Sequence, residues 1–126
     1  MRAPEPINGL RVVAPAAALD RLFWPAGAAV LRLAADDLLV IGAARGGLGD
    51  GAVILEQESG FVGWWLTPGE VREKVLPHVE WPIPDARPAL AQGLVAGVPA
   101  KLWLGEDRTL LLCAAAYAHE LEERLP

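Results

Sequence analysis

Cysteine is almost absent from this chain of 126 residues, which carries only Cys113. A lone cysteine excludes an internal disulfide and every multi-cysteine metal site. Histidine is nearly as scarce, and His78 and His119 are too few to build a zinc centre with so little help from sulfur. Serine and asparagine occur once each, as Ser59 and Asn8. The 11 basic side chains are outnumbered by 16 acidic ones and lie scattered, giving a net charge of -5 and no electrostatic footprint for nucleic acid. Long hydrophobic runs are missing too. Leu22 to Leu31 is stopped by Arg32 and Thr109 to Ala118 by His119, each well short of the ~18 residues a membrane helix needs. The opening Met1-Arg2-Ala3-Pro4-Glu5-Pro6 has neither the basic region nor the apolar core of a secretory signal, so the expected location is the cytoplasm.

What the chain does have is apolar surface. Its hydrophobic fraction is 53% and its mean hydropathy +0.30, above the roughly 45–50% usual for soluble domains, although that range counts Gly and leaves out Tyr. The length suits a single compact domain over residues 1–126. The apolar excess points to a subunit or an oligomer, with contact surface to cover.

The organising stretch is Gly60 to Leu76, Gly-Phe-Val-Gly-Trp-Trp-Leu-Thr-Pro-Gly-Glu-Val-Arg-Glu-Lys-Val-Leu. It reads as a strand turned sharply into a helix. Side chains alternate across a strand, so Phe61, Gly63 and Trp65 share one face while Val62, Trp64 and Leu66 share the other. Both faces are apolar and both need cover. The helix opens on a well-formed signal, with Thr67 as N-cap, Pro68 at the first position and Glu70 at the third, the capping-box pattern. Val71 and Val75 then share the buried face, Arg72, Glu73 and Lys74 look outward, and Pro77 ends the helix.

Upstream, residues 1 to 8 read as an irregular lead-in, Leu10 to Val13 as a short strand and Pro15 to Leu22 as a short helix. Ala28 to Leu33 and Leu38 to Ile41 form a hairpin around Ala34-Ala35-Asp36-Asp37, whose two carboxylates are expected to solvate the turn. Gly42 to Gly51 is rich in glycine, yet it precedes a strand-like Ala52 to Glu56 where a phosphate loop would open a helix, so it reads as a strand connection. Glu56 to Gly60 reads as a turn into the organising strand, and Glu56 and Glu58, alternating on one side, as a solvated edge. Downstream, Trp81 to Pro88 is a stiff extended crossing. Leu90 to Val95, Lys101 to Leu104 and Arg108 to Leu112 make an antiparallel meander, with turns at 96–99 and 105–107. A helix from Ala114 to Leu125 closes the chain, with Tyr117, Leu121 and Leu125 along one stripe beside Ala114 and Ala118. Cys113 reads as a small buried hydrophobe, since no base is apparent beside it.

The order from Ala52 onward, with Gln92 and the Gly97-Val98-Pro99 turn before Leu102-Trp103-Leu104, then Glu106-Asp107-Arg108 before Leu110-Leu111-Leu112, and Tyr117-Ala118 with Leu121 and Leu125 in the last helix, resembles the gamma subunit of heterotetrameric sarcosine oxidase. Leu31 to Gly42 is similar to the strand, acidic turn and strand of that family's first half. The present chain is shorter than a typical gamma subunit, and the difference falls between Ile41 and Val53. Through its family's fold the resemblance extends to the aminomethyltransferase of the glycine cleavage system and to folate-binding iron-sulfur assembly proteins. The Lys-Gly-Cys-Tyr-type motif of the last group has no counterpart here, since Cys113 lies in Leu-Leu-Cys-Ala.

The resemblance implies an accessory chain packed on a larger flavoprotein subunit that carries out amine oxidation. It brings no catalytic, cofactor-binding or metal residue, and folate enters only through the family. Residue chemistry and resemblance together lead to an α+β fold: a mainly antiparallel sheet in the order strand, strand, helix, meander, helix, with the helices packed on the sheet. The expected function is a non-catalytic accessory subunit or assembly module, with a stand-alone folate- or pterin-binding module as the alternative. A larger flavoprotein subunit or self-association supplies the partner, and neither nucleic acid nor membrane is expected. Phe61, Trp64, Trp65 and Trp103 are the candidate interface residues, because large aromatic side chains dominate interface energies.

Overall fold

The computed structural model describes residues 1–42 and 54–125. Seven strands are found among them: β1 (Glu5–Val13), β2 (Ala29–Ala34), β3 (Asp37–Ile41), β4 (Ile54–Leu66), β5 (Ala89–Val95), β6 (Val98–Leu104) and β7 (Thr109–Ala114). The helices are α1 (Ala16–Leu19), α2 (Pro68–Glu70) and α3 (Ala118–Arg124), none longer than 7 residues. These lengths overturn the expected α+β class with helices laid on the sheet. The protein is mostly antiparallel sheet, and its helical turns are too short to form a layer.

Proline chemistry accounts for part of the shortening. Pro77 has no N–H to bond the carbonyl of Glu73, and its ring crowds that carbonyl. The helix begun at α2 therefore widens to a π turn over Val71–Val75, where the N–H of Leu76 reaches the carbonyl of Val71, and then tightens to a 3-10 turn over Leu76–His78. Pro77 thus sits inside the final turn, which runs on to His78, where Pro77 was expected to stop the helix. At the other end of the chain a 3-10 turn, Ala115–Tyr117, replaces the first turn expected of the closing helix.

The chain divides into two compact units, Ile7–Ser59 and a second made of Met1–Pro6 with Gly60–Pro126. In the first the strand order is β2-β3-β1-β4. β2 and β3 form the expected hairpin, with a register shift between Arg32 and Ala34. β1 pairs antiparallel with β3, Leu10 facing Val40 and Val13 facing Asp37. β1 begins at Glu5, where an irregular lead-in was expected, and β4 runs unbroken through Glu56 to Gly60, where a turn was expected. Leu10, Val12, Ala14, Leu19, Leu38 and Val40 make this unit's core. Asp37 does more than solvate its turn, because both its carboxylate oxygens accept from Arg11 at 2.5 Å. Arg11 also lies 3.7 Å from Glu58. Beyond Gly42, the glycine-rich stretch lies outside the described residues.

In the second unit the order is β4-β7-β6-β5. β4 lies against β7 with Trp64 opposite Leu111 and Trp65 opposite Leu110. β7 lies against β6 with Leu102 opposite Leu111. β6 lies against β5 with Gln92 opposite Lys101. The turn between β5 and β6 is only Ala96 and Gly97, both at positive φ (50° and 79°), two residues tighter than the expected turn. Two left-handed residues in sequence suit the right-handed twist of the strands they join.

Candidate functional site

Opposed residues in an antiparallel sheet project to the same side, so the registers sort the second unit into two faces. One face carries Val62, Trp64 and Leu66 from β4, Leu111 and Cys113 from β7, Ala100, Leu102 and Leu104 from β6, and Ala91 and Val95 from β5. These pack with Val71, Val75, Leu121 and Leu125 into a single core. Each helical segment therefore contributes a pair of residues four apart, as the spacing of valines and leucines predicted. Trp64 is 1% exposed, and its indole N–H donates to the carbonyl of Arg2 at 2.7 Å. The guanidinium of Arg2 reaches back to the carbonyl of Trp65 and to the carboxylate of Glu70. That ties the first residues of the chain to the start of α2.

The opposite face carries Phe61, Gly63 and Trp65 from β4, Leu110, Leu112 and Ala114 from β7, Pro99, Lys101 and Trp103 from β6, and Leu90, Gln92 and Leu94 from β5. Along it the side chains form two groups. At one end Trp65 and Trp103 meet edge to face, with centroids 6.1 Å apart and planes at 82°, and the Arg108 guanidinium lies 3.9 Å from the centre of the Trp65 ring. Gly105 makes this packing possible, since a Cβ there would stand 2.7 Å from the Trp103 ring. At the other end Phe61, Leu94, Pro99, Leu112, Ala114 and Tyr117 surround a cavity of about 440 Å³. Its polar edge is Gln92, whose side-chain oxygen accepts from the Lys101 ammonium at 2.7 Å.

Of the four expected interface residues, Phe61, Trp65 and Trp103 thus share one face, and Trp64 is a core residue on the other. Phe61 lines the cavity, while Trp103 is 9% exposed and engaged with Trp65. Tyr117 departs from the expected stripe with Leu121 and Leu125. The 3-10 turn places it at the cavity, 42% exposed, while the two leucines are buried. Leu94, Pro99, Gln92 and Lys101 were missed as well. The signal lay in the tight Ala96–Gly97 turn, which sets the register that gathers them on one face.

A second cavity, about 470 Å³, is lined by Pro77, His78, Glu80, Trp81, Leu94, Ala96 and Gly97. Its Trp81 indole lies over Gly93, where a Cβ would stand 2.6 Å from the ring, and donates to the carbonyl of Leu94 at 2.8 Å. Leu94, 55% exposed, is common to both cavities.

Neither cavity presents nucleophilic machinery. The thiol of Cys113 points into the core, and burial pushes its pKa above the ordinary 9.0, opposite to the direction nucleophilic cysteines need. Among the described residues no group of three or more His, Cys, Asp or Glu side chains is placed to hold a metal ion. No helix among them is long and apolar enough to cross a membrane. No protein-family model, curated protein or solved structure matches this chain.

Proposed function

We propose that this chain is a non-catalytic accessory or assembly module that docks on a larger protein. In the terms of its resemblance to the sarcosine oxidase gamma subunit, that protein is a flavin-dependent amine oxidoreductase. The observation that carries the reading is the cavity at Phe61, Leu94, Pro99 and Tyr117, a concave apolar surface bordered by two large hydrophobic side chains that are 55% and 42% exposed. A depression of about 440 Å³ suits an anchoring aromatic or branched side chain from a partner, the kind of contact that concentrates binding energy at protein interfaces. The test is capture of tagged chain from its native host, with mass spectrometry and a visible spectrum of the eluate. A large co-eluting protein with flavin absorbance, lost on Tyr117→Asp, supports the reading. A chain that elutes alone and colourless overturns it.

A second reading is favoured by the volume of the same cavity, which falls within the ~300–1,000 Å³ range of small-molecule sites. The protein then binds a flat, partly apolar compound of the folate or pterin type, ring against Phe61 and Tyr117, with Gln92 and Lys101 as polar partners. Titration with folate or a reduced pterin, followed by tryptophan fluorescence, decides this reading. Quenching that disappears on Phe61→Ala supports it, and an unchanged spectrum at saturating ligand excludes it.

A further inference from the structure

β5 carries in its own sequence none of the residues that ordinarily protect the last strand of a sheet. Among the described residues it pairs only with β6. Strands in that position are blunted by charge, by proline or by cover, and Ala-Leu-Ala-Gln-Gly-Leu-Val has neither a charged residue nor a proline. Cover is what remains. The segment that follows the 3-10 turn of Leu76–His78 supplies it.

From Val79 to Pro84 the side chains alternate. Val79, Trp81 and Ile83 pack against the core of the second unit, while Glu80, Pro82 and Pro84 are exposed. That is the period of an extended chain with one face buried, and Val79 has the matching backbone, with φ -115° and ψ 123°. Two hydrogen bonds fasten the segment to the end of β5 and its turn. The carbonyl of His78 accepts from the backbone N–H of Ala96 at 2.9 Å, and the Trp81 indole N–H donates to the carbonyl of Leu94 at 2.8 Å. The Trp81 ring also fills the space over Gly93, where a Cβ would stand 2.6 Å from it. Glycine inside a strand weakens it and marks a place where another group approaches closely. Here that group is the Trp81 ring. The outward residues of the segment are a glutamate and two prolines, and proline offers no N–H to a further strand. The segment thus presents to solvent the charge and the prolines that β5 lacks.

We infer that residues 78–84 are a built-in guard of the β5 edge, latched by Trp81, which keeps that edge from pairing with other copies of the chain. The latch acts twice, through the indole bond to the Leu94 carbonyl and through the ring laid over Gly93. His78 and Trp81 sit on one short segment, so the bonds they make should open together as a local unit, below the free energy of global unfolding. The guard rests on geometry within the second unit and stands apart from the accessory role proposed above.

The test uses the purified chain, with hydrogen exchange, circular dichroism and light scattering across a dilution series. In the wild type the Ala96 amide and the Trp81 indole N–H should be protected and report the same opening equilibrium. If either exchanges freely, the latch does not exist. Trp81→Phe keeps a ring over Gly93 and loses the indole bond, so Ala96 should exchange about fivefold faster, the factor that corresponds to one hydrogen bond of ordinary strength. Trp81→Ala removes ring and bond together, and Gly93→Ala displaces the ring without altering it. In both, Ala96 should exchange at least as fast as in Trp81→Phe, and the mass should rise with concentration above that of the wild type while the circular dichroism of the sheet is kept. Trp81→Phe should show the same rise to a smaller extent, and it decides the matter if the alanine variants do not fold. Alanine at an ordinary strand position strengthens the strand, so a Gly93→Ala variant more stable than the wild type, with Ala96 as protected as before, overturns the latch. Faster exchange without added mass overturns the guarding role. Added mass without faster exchange places the association elsewhere and overturns it as well.

Discussion

Replacing Trp64 separates the two roles that neighbouring tryptophans play in this protein. Trp64 is 1% exposed and packs with Leu66, Leu111 and Leu102 in the core, whereas Trp65 lies on the other face, partly open and under the Arg108 guanidinium. An aromatic side chain buries about 150–250 Å², which at about 25 cal/mol per Å² corresponds to roughly 4–6 kcal/mol as an upper figure. Measured truncations of buried aromatic residues to alanine cost about 3–5 kcal/mol. Trp64→Ala should therefore remove about 4 kcal/mol, a large share of the 5–15 kcal/mol typical of whole domains. Trp64→Phe keeps a ring in the core and loses the indole bond to the Arg2 carbonyl at 2.7 Å. That bond is worth about 1 kcal/mol, and the freed carbonyl belongs to an exposed residue that water can reach. Trp65→Ala should fall well below Trp64→Ala, because its ring never loses solvent completely. Urea unfolding followed by circular dichroism reads the difference: with a slope near 2 kcal/mol per M, Trp64→Ala lowers the midpoint by about 2 M. If Trp64→Ala unfolds with the wild type and loses only partner binding, the assignment of Trp64 to the core is wrong.

The cap of α2 predicts an acid-sensitive element. The backbone N–H of Thr67 bonds the Glu70 carboxylate at 3.0 Å and holds its pKa below the ordinary 4.5, aided by the Thr67 hydroxyl and by Arg2 and Lys74 and opposed by desolvation. A depressed folded pKa means that this contribution is present above pH 4.5 and is lost as pH falls through the lower folded value. Thr67→Ala should cost about 1 kcal/mol at neutral pH, whereas Glu70→Gln, which removes the titrating carboxylate itself, should abolish that acid dependence in a series of unfolding curves. Cys113 predicts the reverse at high pH. Its thiol is held protonated in the folded chain, so stability should decline as pH rises above 9.0, a decline absent from Cys113→Ala. Native protein should accordingly react with a thiol reagent far more slowly than protein in urea. Ala96 has φ 50°, a conformation costly for alanine and well tolerated by asparagine. Ala96→Asn should therefore stabilise the β5–β6 hairpin by about 0.5–1 kcal/mol, seen as a rise in Tm.

Local chemistry was legible wherever neighbours in sequence are partners in space. The capping box of Thr67 and Glu70, the hairpin around Ala34 to Asp37 and the meander of β5, β6 and β7 follow from nearest-neighbour rules, and the structure contains all three. Elements that depend on distant partners were misread. Glu5 to Gly9 became strand because β1 lies beside β3 and β4, and proline at positions 4 and 6 concealed it. Glu56 to Gly60 has the composition of a turn and is strand nonetheless. The fold class failed for a related reason. Apolar spacing marked Val71, Val75, Leu121 and Leu125 as buried, and all four are, while Tyr117 of the same expected stripe is 42% exposed. It does not report how many turns the chain spends burying them.

The sequence alone determined that the organising strand has two apolar faces, that Cys113 is a hydrophobe, and where the helix after Thr67 starts, because alternation, composition and capping are local properties of the chain. Only the tertiary structure decided which face becomes core. Alternation divides residues 61–66 into two sets without ranking them. The choice fell to Trp64 because Leu111 and Leu102 stand beside it in register and the valines and leucines of the helical turns close over that side. The same pairing gathers Phe61, Leu94 and Pro99 around one cavity, to which the 3-10 turn after β7 adds Tyr117. Their meeting is a consequence of register, which a single strand does not carry.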